Sequence, residues 1–260
     1  MGKFLYLLLI APFVAQSIVI GPARAAPAAA ANVAAAADLQ YALAEVVRAF
    51  AAGGEPPPRL SFGSSGAFAH QIVSGAPFEL FLSADESYVA QVHRAGRAED
   101  AGTAYATGRL ALFIGRGSAI AADRDLADIG RAARDGRLKH LAIANPEHAP
   151  YGRAAREALQ HVGIWPLVET KLVLGENAAQ AAQFVASGNA QAGILPLSLA
   201  RAPALADRGA FMTLPQSWHA PLRQRMVLLK GAGENARRFY LFLSQPEAGA
   251  ILARHGFGPP

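Results

Sequence analysis

Short apolar runs recur along the chain, separated by longer stretches in which apolar residues return every three or four positions. The runs predict buried strands and the 3.6-residue period predicts amphipathic helices. Strands are expected at 31–36, 59–62, 80–83, 110–114, 140–144, 171–174, 192–196 and 224–229. Helices are expected at 38–52, 67–74, 88–95, 152–161, 178–187 and 235–254. In the first helix Leu39, Leu43, Val46, Val47 and Phe50 share one face, which marks it as core-facing. Strands alternating with helices predict an α/β fold built on mainly parallel sheets flanked by helices.

The N-terminus departs from this pattern. Lys3 precedes an apolar run from Phe4 to Ile20, and Ala23-Arg24-Ala25 stands before Ala26. A positive start, an apolar stretch and a small-x-small triplet together predict a signal peptide, residues 1–25, cleaved after Ala25. The run is shorter than the roughly 20 residues a membrane span requires. The 235 residues that follow exceed the usual size of a single core, about 100–200 residues. Two lobes are therefore expected: one discontinuous, from 26–106 and 221–260, and one from 107–220. The alanine-rich stretch from Ala26 begins as an unstructured new terminus.

The chain has no cysteine, which excludes a lipid-attachment site, disulfides and thiol chemistry. Its net charge is +5, or +3 without Lys3 and Arg24. The arginines stand singly among acids and alanines, with no basic stripe, so nucleic acid is not an expected partner. A mild positive excess does favour encounter with anions. His140, His148 and His161 lack metal-ligand spacing, no H-E-x-x-H or phosphate-binding loop is present, and no cofactor or metal cation is expected. Glycines 63 and 66 around Ser64 and Ser65 lack the G-x-S-x-G spacing of a nucleophile elbow. A serine-type hydrolase therefore ranks below a binding function, and no catalytic residue is assigned.

Four predicted helix starts follow predicted strands and are built from small residues: Ala37-Asp38-Leu39, Gly63-Ser64-Ser65-Gly66, Ala149-Pro150-Tyr151-Gly152 and Gly175-Glu176-Asn177-Ala178. A helix start carries free N–H donors and partial positive charge, so it holds anions without lysine or arginine. Each start also has an ordinary structural reading. Serine and asparagine cap helices routinely, proline suits a helix entry, and a tyrosine beside it can simply pack. As a set, they nominate Ala37, Asp38, Ser64, Ser65, Tyr151, Asn177 and Ala178 as an oxyanion site. Six hydrogen bonds to a charged acceptor, at about 1.5–3 kcal/mol each, give roughly 9–18 kcal/mol before ordering costs. Submicromolar binding needs a little over 8 kcal/mol, so neutral donors suffice.

The stretches AAAADL (34–39), SFGSSGAFAHQI (61–72), GAPFELFLSADE (75–86), AIANPEHAPYG (142–152) and YLFLSQPEAGAILARHGF (240–257) resemble the molybdate-binding proteins of ABC importers. These proteins have the type II periplasmic binding-protein fold, two lobes closing on a ligand. The resemblance implies a monomeric periplasmic protein that takes molybdate or tungstate to an importer permease and its ATPase. It implies contacts to the oxyanion from Ser65, Tyr151 and the amide of Ala178, with the metal bound only through its oxygens. Phosphate, arsenate or sulfate is the alternative ligand. The sequence departs from the family pattern at Asp38, where serine, threonine or asparagine is usual. Asp38 is expected either to cap its own helix or to accept a proton from a protonated oxyanion. It departs again at Pro196, where one subgroup has a tyrosine; Tyr151 matches the other subgroup.

Overall fold

The computed structural model describes residues 1–2 and 29–260, so the apolar run and cleavage site expected within residues 1–25 lie outside the described residues. From residue 32 onward short strands and helices follow each other closely. The first part runs β1 (Asn32–Ala36), α1 (Gln40–Ala52), β2 (Arg59–Gly63), α2 (Ser65–Val73), β3 (Leu80–Ser83), α3 (Glu86–Arg94) and β4 (Thr103–Gly108). The middle runs β5 (Leu110–Gly115), α4 (Ala127–Asp135), β6 (Leu141–Ala144), α5 (Pro150–His161), α6 (Trp165–Val168), β7 (Leu172–Gly175), α7 (Ala178–Ala186), β8 (Ala192–Pro196), α8 (Leu197–Ala200), α9 (Pro203–Ala206) and β9 (Gly209–Thr213). The chain ends with β10 (Leu222–Leu228), α10 (Glu234–Leu243) and α11 (Pro246–Arg254).

These strands form two five-stranded sheets, ordered β2-β1-β3-β10-β4 and β7-β6-β8-β5-β9. Each sheet is mixed. In the first, β1 pairs in parallel with β2 and β3, while β10 runs antiparallel to β3 and β4. In the second, β6 is parallel to β7 and β8, while β5 is antiparallel to β8 and β9. The expected parallel sheets are thus present as one half of each, and the antiparallel half arises because the chain changes sheets. It crosses from β4 to β5 through Arg109 alone, and β10 returns to fill the gap between β3 and β4.

Burial explains the layering. Val33, Ala34 and Ala35 of β1 are fully buried, and their small side chains let helices cover both faces of the first sheet. On one face Phe50 of α1 meets Phe239 of α10 edge to face at 5.1 Å. On the other, Ala34 and Phe81 pack with Phe68 and Ile72 of α2 and Val89 and Val92 of α3. The single helix expected at 235–254 is two: Pro246 opens α11, because a proline inside a continuous helix would remove a hydrogen bond and clash with the preceding turn. The strands β4 and β9 and the helix α4 were not anticipated from the pattern. No helix among the described residues is long and apolar enough to cross a membrane.

Candidate functional site

The parallel strands β1, β2, β6 and β7 end facing the gap between the sheets; β1, β2 and β7 lead within three residues into a helical turn, and β6 reaches α5 through the loop 145–149. Crevices beyond the carboxyl ends of parallel strands are where α/β sheets bind ligands. Here the turns enclose a small cavity of about 10 Å³, room for the centre of one water-sized sphere. Its walls are Ala36, Ala37, Asp38, Gly63, Ser64, Ser65 and Ala84 from the first sheet and Ala149, Pro150, Tyr151 and Ala178 from the second.

Three of the helices leave one amide each for this cavity. Ser64 caps α2, accepting from Ala67 N at 3.3 Å; Gly66 N donates to His148 O at 3.0 Å, and Phe68 N to Ser64 O. The Ser65 N–H is left over, since the first helical amides have no partner within the helix. Asn177 caps α7 the same way, accepting from Ala179 N and Gln180 N at 3.0 and 3.1 Å, which leaves the Ala178 N–H. In α5 the first residue, Pro150, has no N–H, and Gly152 and Arg153 bond to Ala149 O, leaving the Tyr151 N–H. Ser65 Oγ accepts from Ala84 N at 2.9 Å, so its hydroxyl proton remains available to donate. No lysine or arginine lines the cavity. Positive potential there comes from the helix starts.

Asp38 stands opposite these donors. It is 1% exposed, and burial pushes its carboxyl pKa up to about 6, against the bond from Gln224, which pulls it down. Gln224 Nε2 donates to Oδ2 at 2.6 Å and also reaches the Tyr151 hydroxyl at 3.1 Å. Tyr105 donates to Gln224 Oε1 at 2.7 Å, and Ser198 Oγ donates to the Asp38 carbonyl at 2.8 Å. Oδ1 of Asp38 has no hydrogen-bond partner. Burial and the Asp38 charge hold the phenols of Tyr105 and Tyr151 well above the usual tyrosine range, so both stay protonated at neutral pH. Gly108 makes the Tyr151 position possible, because a β-carbon there would run into the phenol oxygen.

An acid whose folded pKa exceeds its unfolded one weakens the fold as it ionises: the cost is absent below about pH 4 and complete above about pH 6. Asp38→Asn is therefore expected to stabilise the empty protein at pH 8 by about 3 kcal/mol, two pKa units' worth. The gain should vanish near pH 4, as read by thermal melts across that range.

Several bonds join the two sides. Ser64 Oγ lies 2.9 Å from His148 Nδ1, Gly66 N bonds His148 O, and Arg153 of α5 pairs with Asp85 beside α3. His148 Nε2 in turn lies 3.5 Å from the largely exposed Glu176. A serine, a histidine and an acid thus fall in a row, but Ser64 Oγ already accepts the Ala67 amide as a cap. Among the described residues no group of three or more His, Asp or Glu side chains stands together as a metal site.

The structure brings together Ala37, Asp38, Ser64, Ser65, Tyr151 and Ala178 from the sequence reading. Asn177 is a correction: it lies outside the cavity wall, because its side chain is turned back as the α7 cap. Asp38 is another: its side chain makes no helix cap and instead meets Gln224. Pro196 ends β8 away from the cavity. Ala84, Gln224 and His148 were missed. Gln224 carried a signal, an uncharged polar residue at the inward position of the alternation between Arg223 and Arg225, and it is fully buried.

Two sheet-built halves linked by two chain crossings, with donors converging on a small cavity between them, define a solute-binding protein. The chain belongs to the family of bacterial extracellular solute-binding proteins, which it matches over residues 31–258, and within it to the ModA proteins. It is 40% identical over 200 residues to the molybdate-binding protein ModA of Rhodobacter capsulatus, covering 76% of this chain and 75% of that one. To ModA of Azotobacter vinelandii it is 34% identical, covering 91% and 92%. The solved Azotobacter vinelandii periplasmic molybdate-binding protein superposes with a TM-score of 0.79 at 29% identity, covering 88% of this chain and 99% of that one. The sulfate-binding protein SubI of Mycobacterium tuberculosis, at 17% identity and a TM-score of 0.74, over 88% of this chain and 86% of that one, shares the fold.

Proposed function

We propose that this chain is a periplasmic substrate-binding protein, exported by a cleaved signal peptide, that captures molybdate or tungstate between two lobes and delivers it to the permease and ATPase of an ABC importer. The lobes are 26–106 with 221–260, and 107–220, and the protein acts as a monomer without catalysis or cofactor. The observation that carries this reading is the convergence of the Ser65, Tyr151 and Ala178 amides and the Ser65 hydroxyl on one cavity without a cationic side chain. Such donors suit a tetrahedral dianion presenting four acceptor oxygens. Their placement on two lobes means that the set is complete only on closure, which is how binding proteins of this kind report ligand. Fixed donors also select by radius, which separates molybdate from sulfate. The similarity to ModA proteins supports the choice of anion.

Titration calorimetry of the chain from Ala26 with molybdate, tungstate, sulfate, phosphate and arsenate tests this. Submicromolar binding confined to molybdate and tungstate is expected; binding of phosphate or arsenate alone would transfer the reading to that anion. Ser65→Ala should weaken molybdate about 10- to 100-fold, the loss of one hydrogen bond to a charged acceptor.

A further inference from the structure

We propose that Asp38 carries a proton when the cavity is filled, its carboxyl donating from Oδ1 to an oxygen of the bound dianion, so that capture takes up one proton from solvent. This rests on the oxyanion reading above and adds a residue that sets its pH dependence.

The geometry leaves Asp38 little else to do. Oδ2 is held by Gln224 at 2.6 Å, while Oδ1, on a residue that lines the cavity, is buried without a partner. An ionised carboxylate on that wall would oppose a dianion in a site that offers no cation to offset it. A neutral carboxyl turns the same oxygen into a fifth donor beside the three amides and the Ser65 hydroxyl.

The surroundings isolate this titration. The groups packed on Asp38 are Gln224 of β10, Tyr151 of α5, Tyr105 of β4 and Ser198 of α8, none charged at neutral pH. The charged residues of the same elements are engaged elsewhere: Arg153 with Asp85, Arg156 with Glu147, Glu157 with Ala220 N, and Arg223 and Arg225 with Glu86. Glu45 of α1 binds Arg254 and His255, Arg48 lines a separate surface cleft, and His148 faces Ser64. The α7 and α8 helices carry no titratable side chain.

In the empty protein Asp38 titrates near pH 6, and a dianion beside it raises that value. Below about pH 6 the group is already neutral and affinity is flat. Above it the proton must be taken up, and affinity falls by up to tenfold per pH unit until the bound-state pKa is passed.

The test is calorimetric titration with molybdate at pH 7.5 in buffers of different ionisation enthalpy, and Kd at pH 6 to 8.5. Uptake approaching one proton, with Kd rising about tenfold per pH unit, is expected for the wild-type protein. Asp38→Asn, uncharged at every pH, should bind without proton uptake and with a flat Kd. Tight wild-type binding with no proton exchange and a constant Kd would overturn the proposal while leaving the oxyanion reading intact. Absence of molybdate binding by both proteins at pH 6 would overturn both.

Discussion

Gly66→Val is expected to weaken molybdate binding by about 10²- to 10⁴-fold while leaving the melting temperature of the empty protein nearly unchanged. A β-carbon at Gly66 would stand 2.6 Å from the carbonyl oxygen of His148 on the opposite side of the cleft, and the surrounding backbone cannot yield as a flexible side chain would. The lobes would stay apart and the Tyr151 and Ala178 amides would not reach an anion seated on Ser65. Two hydrogen bonds to a charged acceptor at about 1.5–3 kcal/mol each set the size of the loss. Titration calorimetry and small-angle scattering read it together: weak binding with an extended particle supports the account. Wild-type affinity in a particle that closes normally would show that the His148 contact is not required for capture.

Asp128→Ala is expected to lower the stability of the fold in a pH-dependent way. Asp128 is 6% exposed, accepts Ala121 N at 2.8 Å and receives both terminal nitrogens of Arg137, at 3.0 and 3.1 Å, and Nε of Arg131 at 3.1 Å. The Arg137 guanidinium and the Ala121 amide hold the carboxyl far below the usual carboxylate range. Alanine would leave the Ala121 amide and two partly exposed arginines without their acceptor, a loss of about 1–3 kcal/mol, or about 5 °C in melting temperature. An acid whose folded pKa is depressed stabilises above its unfolded pKa and loses that contribution as pH falls. The gap between wild type and variant should therefore be full at pH 7 and narrow below about pH 4. A gap that does not change with pH would mean the loss is one of packing.

The contrast between what the sequence carries and what it hides follows from distance along the chain. Helix starts are local: Ser64 beside Gly63, Pro150 before Tyr151 and Asn177 before Ala178 each announce a turn through adjacent residues. Three of them therefore gave the amides at the cavity directly. Asp38 is the opposite case. Its capping role was a local inference, and the structure instead pairs it with Gln224, 186 residues away, a contact that exists only because β10 inserts between β3 and β4. Asn177 failed for a related reason, since a good cap side chain is directed toward its own helix and away from a ligand. The missed β9 is a half-exposed edge strand without regular alternation, and α4 opens from Leu126 with left-handed backbone, φ 55°, its first-turn amide at Asp128 held by Asp123 five residues back rather than by a residue at the cap position. The strand offered no alternation to read, whereas α4 did carry a helical pattern, Ile129, Ala132 and Ala133 falling on one buried face, and that signal was passed over.

The cavity wall contains no lysine or arginine, and that sets how binding responds to added salt. Binding of an anion by surface cations is a competition with the ionic atmosphere, which thins the attraction beyond a distance of about 10 Å at 0.1 M salt. Backbone dipoles enclosed between two lobes have no such atmosphere to displace. Binding at such a site is expected to depend on the shape of the ion more than on how many other ions surround it, so its affinity should change little between low and moderate salt.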